Sequence, residues 1–204
     1  MLGFIAYLTL FLLPVDARAF SRADLLTGDV LLQSIPCYLC QMIEVEESSP
    51  YSHSGVVLRE GNALSVLEAW NDVQKIPLSQ YLALRKQNTF TQVLRPIASN
   101  GKFLKLDSNE LLKIYQEKFA GHHYDPAFLW NNHDARGETF YCSEFTAKIL
   151  NFMLPIPFEP KPMHFTHFRS DWIQYFQGNP PDGQPGISPG DFEKSPLLRV
   201  IGSL

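Results

Sequence analysis

The chain has 204 residues, 45% of them apolar and 19% charged, so it can bury one sizeable core and does not have the composition of a disordered or fibrous protein. With 17 basic against 21 acidic side chains its formal net charge is −4, which excludes the basic field that gathers nucleic acid or anionic lipid.

The first stretch, "MLGFIAYLTLFLLPVDARAF", is apolar from Leu2 to Leu13, too short a run to span a bilayer. Pro14 and the triplet Ala17-Arg18-Ala19 follow, a small-residue cleavage pattern, so residues 1–19 read as a secretory signal peptide. No Lys or Arg precedes the apolar run, and the alternative is an uncleaved anchor or a buried first helix. The mature chain is expected to begin near Phe20 and to form a single domain over 20–204. That domain is expected to work outside the cytoplasm, in the periplasm or beyond.

"GDVLLQS" reads as a short apolar strand, and "PCYLCQMIEVEE" as a helix with Pro36 at its first position. "SHSGVVLRE", "GN" and "ALSVLEAW" form a hairpin, with Gly61 opening a two-residue primed turn. "NTFTQVLRPI" is a further strand. "DSNELLKIYQEKFAG" is a helix capped by Asp107, with Glu110 three residues on, Leu111, Tyr115 and Phe119 on one face and Gly121 after its last turn. "FYCSEFTAKILNFML" is a second helix, stopped by Pro155, with Phe145, Ile149 and Phe152 or Met153 facing the core. Prolines then crowd the segment from Pro155 to Pro196, which predicts a mostly irregular C-terminal quarter wrapping the domain.

The hairpin carries the first chemistry. With Gly61 and Asn62 as the loop, Glu60 pairs with Ala63, and His53 and Glu68 become diagonal neighbours on one side of the sheet, about 7–8 Å apart in backbone. A carboxylate there fixes the tautomer of the imidazole and leaves its other nitrogen free to take a proton. The bland alternative is a strand-end histidine beside a solvated glutamate. Cys142 opens a helix, where the dipole and unsatisfied N–H groups favour a thiolate and can receive an oxyanion; its alternative is an inert buried cysteine. Cys37 and Cys40 make half of a zinc site with no second pair to complete it, or a small disulfide that leaves Cys142 as the odd thiol. No metal is expected at the site.

In that order "TGDVLLQ", "YSHSGVVL", "VLEAW", "HYDPAF" and "YCSEF" resemble the permuted papain-like cysteine amidases of the YaeF/YiiX group, relatives of the NlpC-type cell-wall peptidases and of lecithin retinol acyltransferase. The resemblance spans Thr27 to about Leu150. It implies an α+β, circularly permuted papain-like fold, with a small antiparallel sheet packed against helices and the histidine preceding the cysteine in sequence. It implies Cys142 as nucleophile, His53 as base and Glu68 as the orienting third residue, with Tyr124 and Asp125 matching a Tyr-Asp pair near the site. The expected activity is that of a secreted cysteine amidase or peptidase acting on cell-wall peptides, without cofactor, as a monomer associated with the cell envelope. A lipid-directed acyltransferase or esterase using the same residues, and a non-catalytic binding module, are the alternatives. The Cys142 N–H is the first expected oxyanion donor. Gln33 is a second candidate, weighed against a plain sheet-edge amide. His122, His123, His164 and His167 are expected to be loop residues rather than ligands.

Overall fold

In the computed structural model, which describes residues 20–204, a six-stranded antiparallel sheet forms the centre. The expected signal segment, 1–19, lies outside the described residues. In chain order the elements are β1 (Val30–Gln33), α1 (Tyr38–Glu46), β2 (His53–Glu60), β3 (Ala63–Trp70), β4 (Asp72–Pro77), α2 (Leu78–Ala83), β5 (Gln92–Pro96) and α3 (Ser108–Lys118). The short pair β6 (His133–Asp134) and β7 (Gly137–Glu138) follows, then α4 (Cys142–Asn151), β8 (Lys161–Pro162), α5 (Arg169–Tyr175), β9 (Pro185–Gly186), α6 (Pro189–Lys194) and β10 (Leu198–Ser203). Across the main sheet the strands run β10-β5-β1-β2-β3-β4.

Period-two alternation builds a core on each face of this sheet. Val30, Leu32, Val56, Leu58 and Leu67 pack with residues of α3 and α4, while Leu31, Val57, Val66 and Val93 pack with Leu78 and Tyr81 of α2. Between β2 and β3 Glu60 pairs with Ala63 and Val56 with Leu67, across a two-residue turn in which Gly61 takes the left-handed φ of 60° that favours glycine. Asp107 caps α3 by accepting from the Glu110 N–H at 2.9 Å.

The structure corrects or adds to these expectations at three points. First, α1 starts at Tyr38 rather than at Pro36, since the Cys37 side chain is its cap and accepts from the Cys40 N–H. Second, the C-terminal quarter, mostly irregular as expected, also holds α5 and α6 and returns as β10 to pair with β5 along one edge of the sheet. The prolines punctuate that segment instead of disordering it. Pro189 opens α6 at its first turn, and β10 begins only after Pro196. Third, β4 and α2 were not expected, and both support the site. Of the two residues offered as the last core contact of α4, Met153 packs inward and Phe152 is exposed. Among the described residues no helix is long and apolar enough to cross a membrane.

Candidate active site

His53 begins β2, and the hairpin register delivers Glu68 to the same side of the sheet. His53 Nε2 lies 2.5 Å from Glu68 Oε2, both side chains fully buried. The other carboxylate oxygen accepts from Gln74 Nε2 at 2.9 Å, and that amide also donates to the Trp70 carbonyl at 3.1 Å. The imidazole is held between two rings. Tyr81 of α2 stacks on it at 5.4 Å between centroids, and Trp70 meets it edge-on at the same distance. The Tyr81 hydroxyl donates to the Leu31 carbonyl at 3.0 Å, which fixes the ring in turn. The glycine of "SHSG" makes this possible: a Cβ at Gly55 would stand 2.5 Å from Val66 Cγ1 and 3.0 Å from Tyr81 Cε2.

Cys142 is the first residue of α4, with Tyr141 as its N-cap, so its backbone N–H has no acceptor within the helix. Its thiol is buried against the start of β2, with Sγ 4.0 Å from the Ser52 carbonyl. Thiol and imidazole tune each other. Burial works against charge on His53, but hydrogen bonding to Cys142 and Glu68 and their negative charge outweigh it and raise the imidazole to about 9. Burial likewise works against the thiolate, and His53 overcomes it, so the Cys142 thiol is held below its ordinary value. The remaining ring nitrogen, Nδ1, makes no hydrogen bond of full geometry and is left for proton exchange with the sulfur.

The structure thus brings Cys142, His53 and Glu68 together. It does not bring the other expected residues into the same role. Gln33 is fully buried, its Nε2 donating to the Tyr81 carbonyl at 3.0 Å and its Oε1 accepting from Thr91 Oγ1 at 3.0 Å. The oxyanion assignment is therefore corrected: this amide braces the helix that carries Tyr81. Asp125 is buried and accepts from the N–H groups of Ala127 and Leu129 and from Asn132 Nδ2, all at 2.8–2.9 Å. It ties a loop together and does not line the cleft, whereas Tyr124 does. Sequence reasoning missed Gln74, Trp70 and Tyr81. Trp70 alone had a signal, since the hairpin register already set it opposite His53.

Beside Cys142 lies a narrow cleft, partly open to solvent, with Leu39, Ile43, Phe128, Met163, Phe165 and Trp172 among its walls. Its polar lining includes Ser52, Ser143, Glu46 and His164. The walls come from α1, from the loop Asp125 organises and from the excursion between β8 and β9, which closes over the site with a cluster of aromatic rings. Cys37 and Cys40 are joined as a disulfide, leaving Cys142 as the free cysteine. The loop histidines bond elsewhere: His122 Nδ1 donates to the Glu138 carbonyl at 2.6 Å, His123 pairs with Asp134, and His167 lies 3.5 Å from Glu46.

A sheet in this order, with the histidine hairpin ahead of the cysteine helix, is the permuted papain-like fold. Residues 24–202 match the model of the permuted papain-like amidase enzyme family of YaeF/YiiX, and the chain belongs to that family. It is 25% identical to the uncharacterized protein YiiX of Escherichia coli over 123 residues, 60% of this chain and 56% of that protein's length. A solved structure described as the metalloprotein yiiX, also from Escherichia coli, superimposes with a TM-score of 0.73 at 21% identity, covering 88% of this chain and 97% of that one. Among the described residues of this chain no group of three or more His, Cys, Asp or Glu side chains is arranged to hold a metal ion. The fold class expected from the sequence is the one observed.

Proposed function

We propose that the protein is a cysteine hydrolase that cleaves an amide bond through Cys142, His53 and Glu68. The observation that carries this reading is a thiol at a helix N-terminus, facing a buried imidazole whose far nitrogen is held by a carboxylate. Glu68 holds Nε2, so Nδ1 is the nitrogen that exchanges a proton with sulfur. The Cys142 thiolate attacks the amide carbonyl, and the oxyanion is received by the unsatisfied N–H of Cys142 itself. The His53 imidazolium gives its proton to the leaving amine, which departs and leaves an acyl-thioester. A water, deprotonated by His53, then attacks that thioester; the acid is released and the thiol restored.

The apolar cleft favours one refinement, namely that the acyl side of the substrate is hydrocarbon or an apolar peptide side chain. It also gives weight to the second reading from the sequence, a lipid-directed acyltransferase or esterase, because an acyl-thioester formed in an apolar cleft can pass to an amine or alcohol as well as to water. Export by the segment 1–19 and work at the cell envelope belong to the same proposal. The test is incubation of the native protein and of Cys142→Ala with three panels: N-acyl amides, peptidoglycan stem peptides and phospholipid vesicles. Release of an amine from the N-acyl amides or stem peptides by the native protein alone supports the amidase, and release of fatty acid from the vesicles alone supports the esterase. A transferred acyl group in place of free acid establishes the transferase, and equal inactivity of both proteins on all panels overturns the proposal.

A further inference from the structure

Cys37 and Cys40 close a loop with a sequence separation of only three residues, and a disulfide stabilises less the shorter the loop it closes. As a staple for the domain it contributes little. Its position suggests another use. Cys40 is buried at 2% exposure and lines the catalytic cleft with Leu39 and Ile43, while Cys37 is part-exposed at the cap of α1. The Cys40 N–H donates to the Cys37 sulfur at 3.0 Å, and the α1 N-terminus favours negative charge at that atom. One sulfur is therefore reachable and suited to the thiolate form, and its partner forms part of the cleft wall.

The same helix also fastens the excursion that covers the cleft. Glu46 accepts from Thr166 Oγ1 and from the His167 N–H, both at 2.8 Å, and Tyr38 meets Phe168 edge-on at 6.4 Å. Both ends of α1 thus hold the 165–168 segment, and the first turn of α1 is pinned by the disulfide.

We infer that the Cys37–Cys40 disulfide is a thiol-exchange site that sets the shape of the catalytic cleft, an inference that rests on the proposed amidase site for its effect on turnover. A dithiol reductant attacks the sulfur of the part-exposed Cys37. The S–S bond breaks, and Cys40 leaves as a thiolate that takes up a proton. The second thiol of the reductant then attacks its own sulfur in the mixed disulfide and expels the Cys37 thiolate. Two electrons pass to the protein, and the reductant departs as a disulfide. The freed first turn of α1 frays, its cleft-lining residues Leu39 and Cys40 move, and substrate binding weakens while Cys142, His53 and Glu68 keep their geometry.

The experiment treats the folded protein with dithiothreitol, alkylates with iodoacetamide and maps the modified cysteines by mass spectrometry. In parallel, hydrogen exchange is followed at residues 38–43, and KM and kcat are measured on an N-acyl amide. Expected are alkylation of Cys37 and Cys40 without loss of secondary structure, faster exchange at 38–43, and a KM several-fold higher at nearly unchanged kcat. Cys37→Ser should reproduce the reduced form and no longer respond to dithiothreitol. A disulfide that survives until the whole protein unfolds, or a reduction that leaves both exchange and KM unchanged, overturns the inference. If no form turns over any substrate, the amidase reading fails, while cysteine mapping and hydrogen exchange still decide whether the exchange site exists.

Discussion

Glu68 has two carboxylate oxygens and both are engaged, one by His53 at 2.5 Å and the other by Gln74 at 2.9 Å. Glu68→Gln keeps the shape but removes the charge that helps hold the imidazole at about 9. Its kcat is expected to fall on the order of 10²- to 10⁴-fold with little change in KM. In a pH–rate profile the alkaline limb, set in the native protein where His53 loses its proton near 9, moves down toward the ordinary 6.5. The sign carries over to stability. The folded state holds this proton more tightly than the unfolded chain, so the contribution of His53 is complete below 6.5 and is lost as pH rises through about 9. Tyr81 separates packing from hydrogen bonding. Tyr81→Phe keeps the stacked ring but removes its bond to the Leu31 carbonyl, which stays paired within the sheet, costing about 0.5–1.5 kcal/mol in urea unfolding with activity retained. Tyr81→Leu removes the stacking face as well, and its kcat is expected to drop.

At the scale of elements, the β2–β3 hairpin shows how much of the site was legible in the sequence. A glycine in a two-residue loop fixes the pairing of its flanks, and alternation by two does the rest, so the approach of His53 to Glu68 follows from local rules. The bracing around the imidazole does not. Tyr81 sits on a helix of six residues with no side-chain cap, and Gln33 reaches it only because β1 and α2 pack together, contacts that no periodicity announces. The same packing explains Gly55. Gly55→Ala forces a Cβ into Val66 and Tyr81, with an expected loss of about 1–3 kcal/mol and lowered kcat, since the displaced ring is the one on which His53 rests. Asp125 acts on the cleft through its loop. Asp125→Ala unties the N–H groups of Ala127 and Leu129 and should raise KM through the displaced Phe128 wall more than it lowers kcat.

At the scale of the whole molecule, the cleft exists only where α1, α4 and the C-terminal excursion meet. The sequence therefore showed its aromatic residues without showing what they enclose. In the long C-terminal segment the irregular course was legible but α5, α6 and β10 were not, because proline density reports turns and not the strand and helices between them. One long-range link is electrostatic. Burial pushes Glu144, two residues beyond the nucleophile, up to about 7 despite its contact with Lys148, and it ties α4 to the loop at the Asn131 N–H. The folded state keeps that proton after the unfolded chain has released it, so stability should fall as pH rises from 4.5 through 7. Glu144→Gln should flatten this slope in urea midpoints measured across that range. The central claim, a thiolate at Cys142 sustained by His53, is tested most directly by the pH dependence of iodoacetamide alkylation at Cys142, followed by peptide mass spectrometry in the native protein and in His53→Ala. The account predicts a native midpoint below the ordinary 9, rising to 9 or above once His53 is removed. A native midpoint at or above 9 that is unmoved by His53→Ala contradicts it.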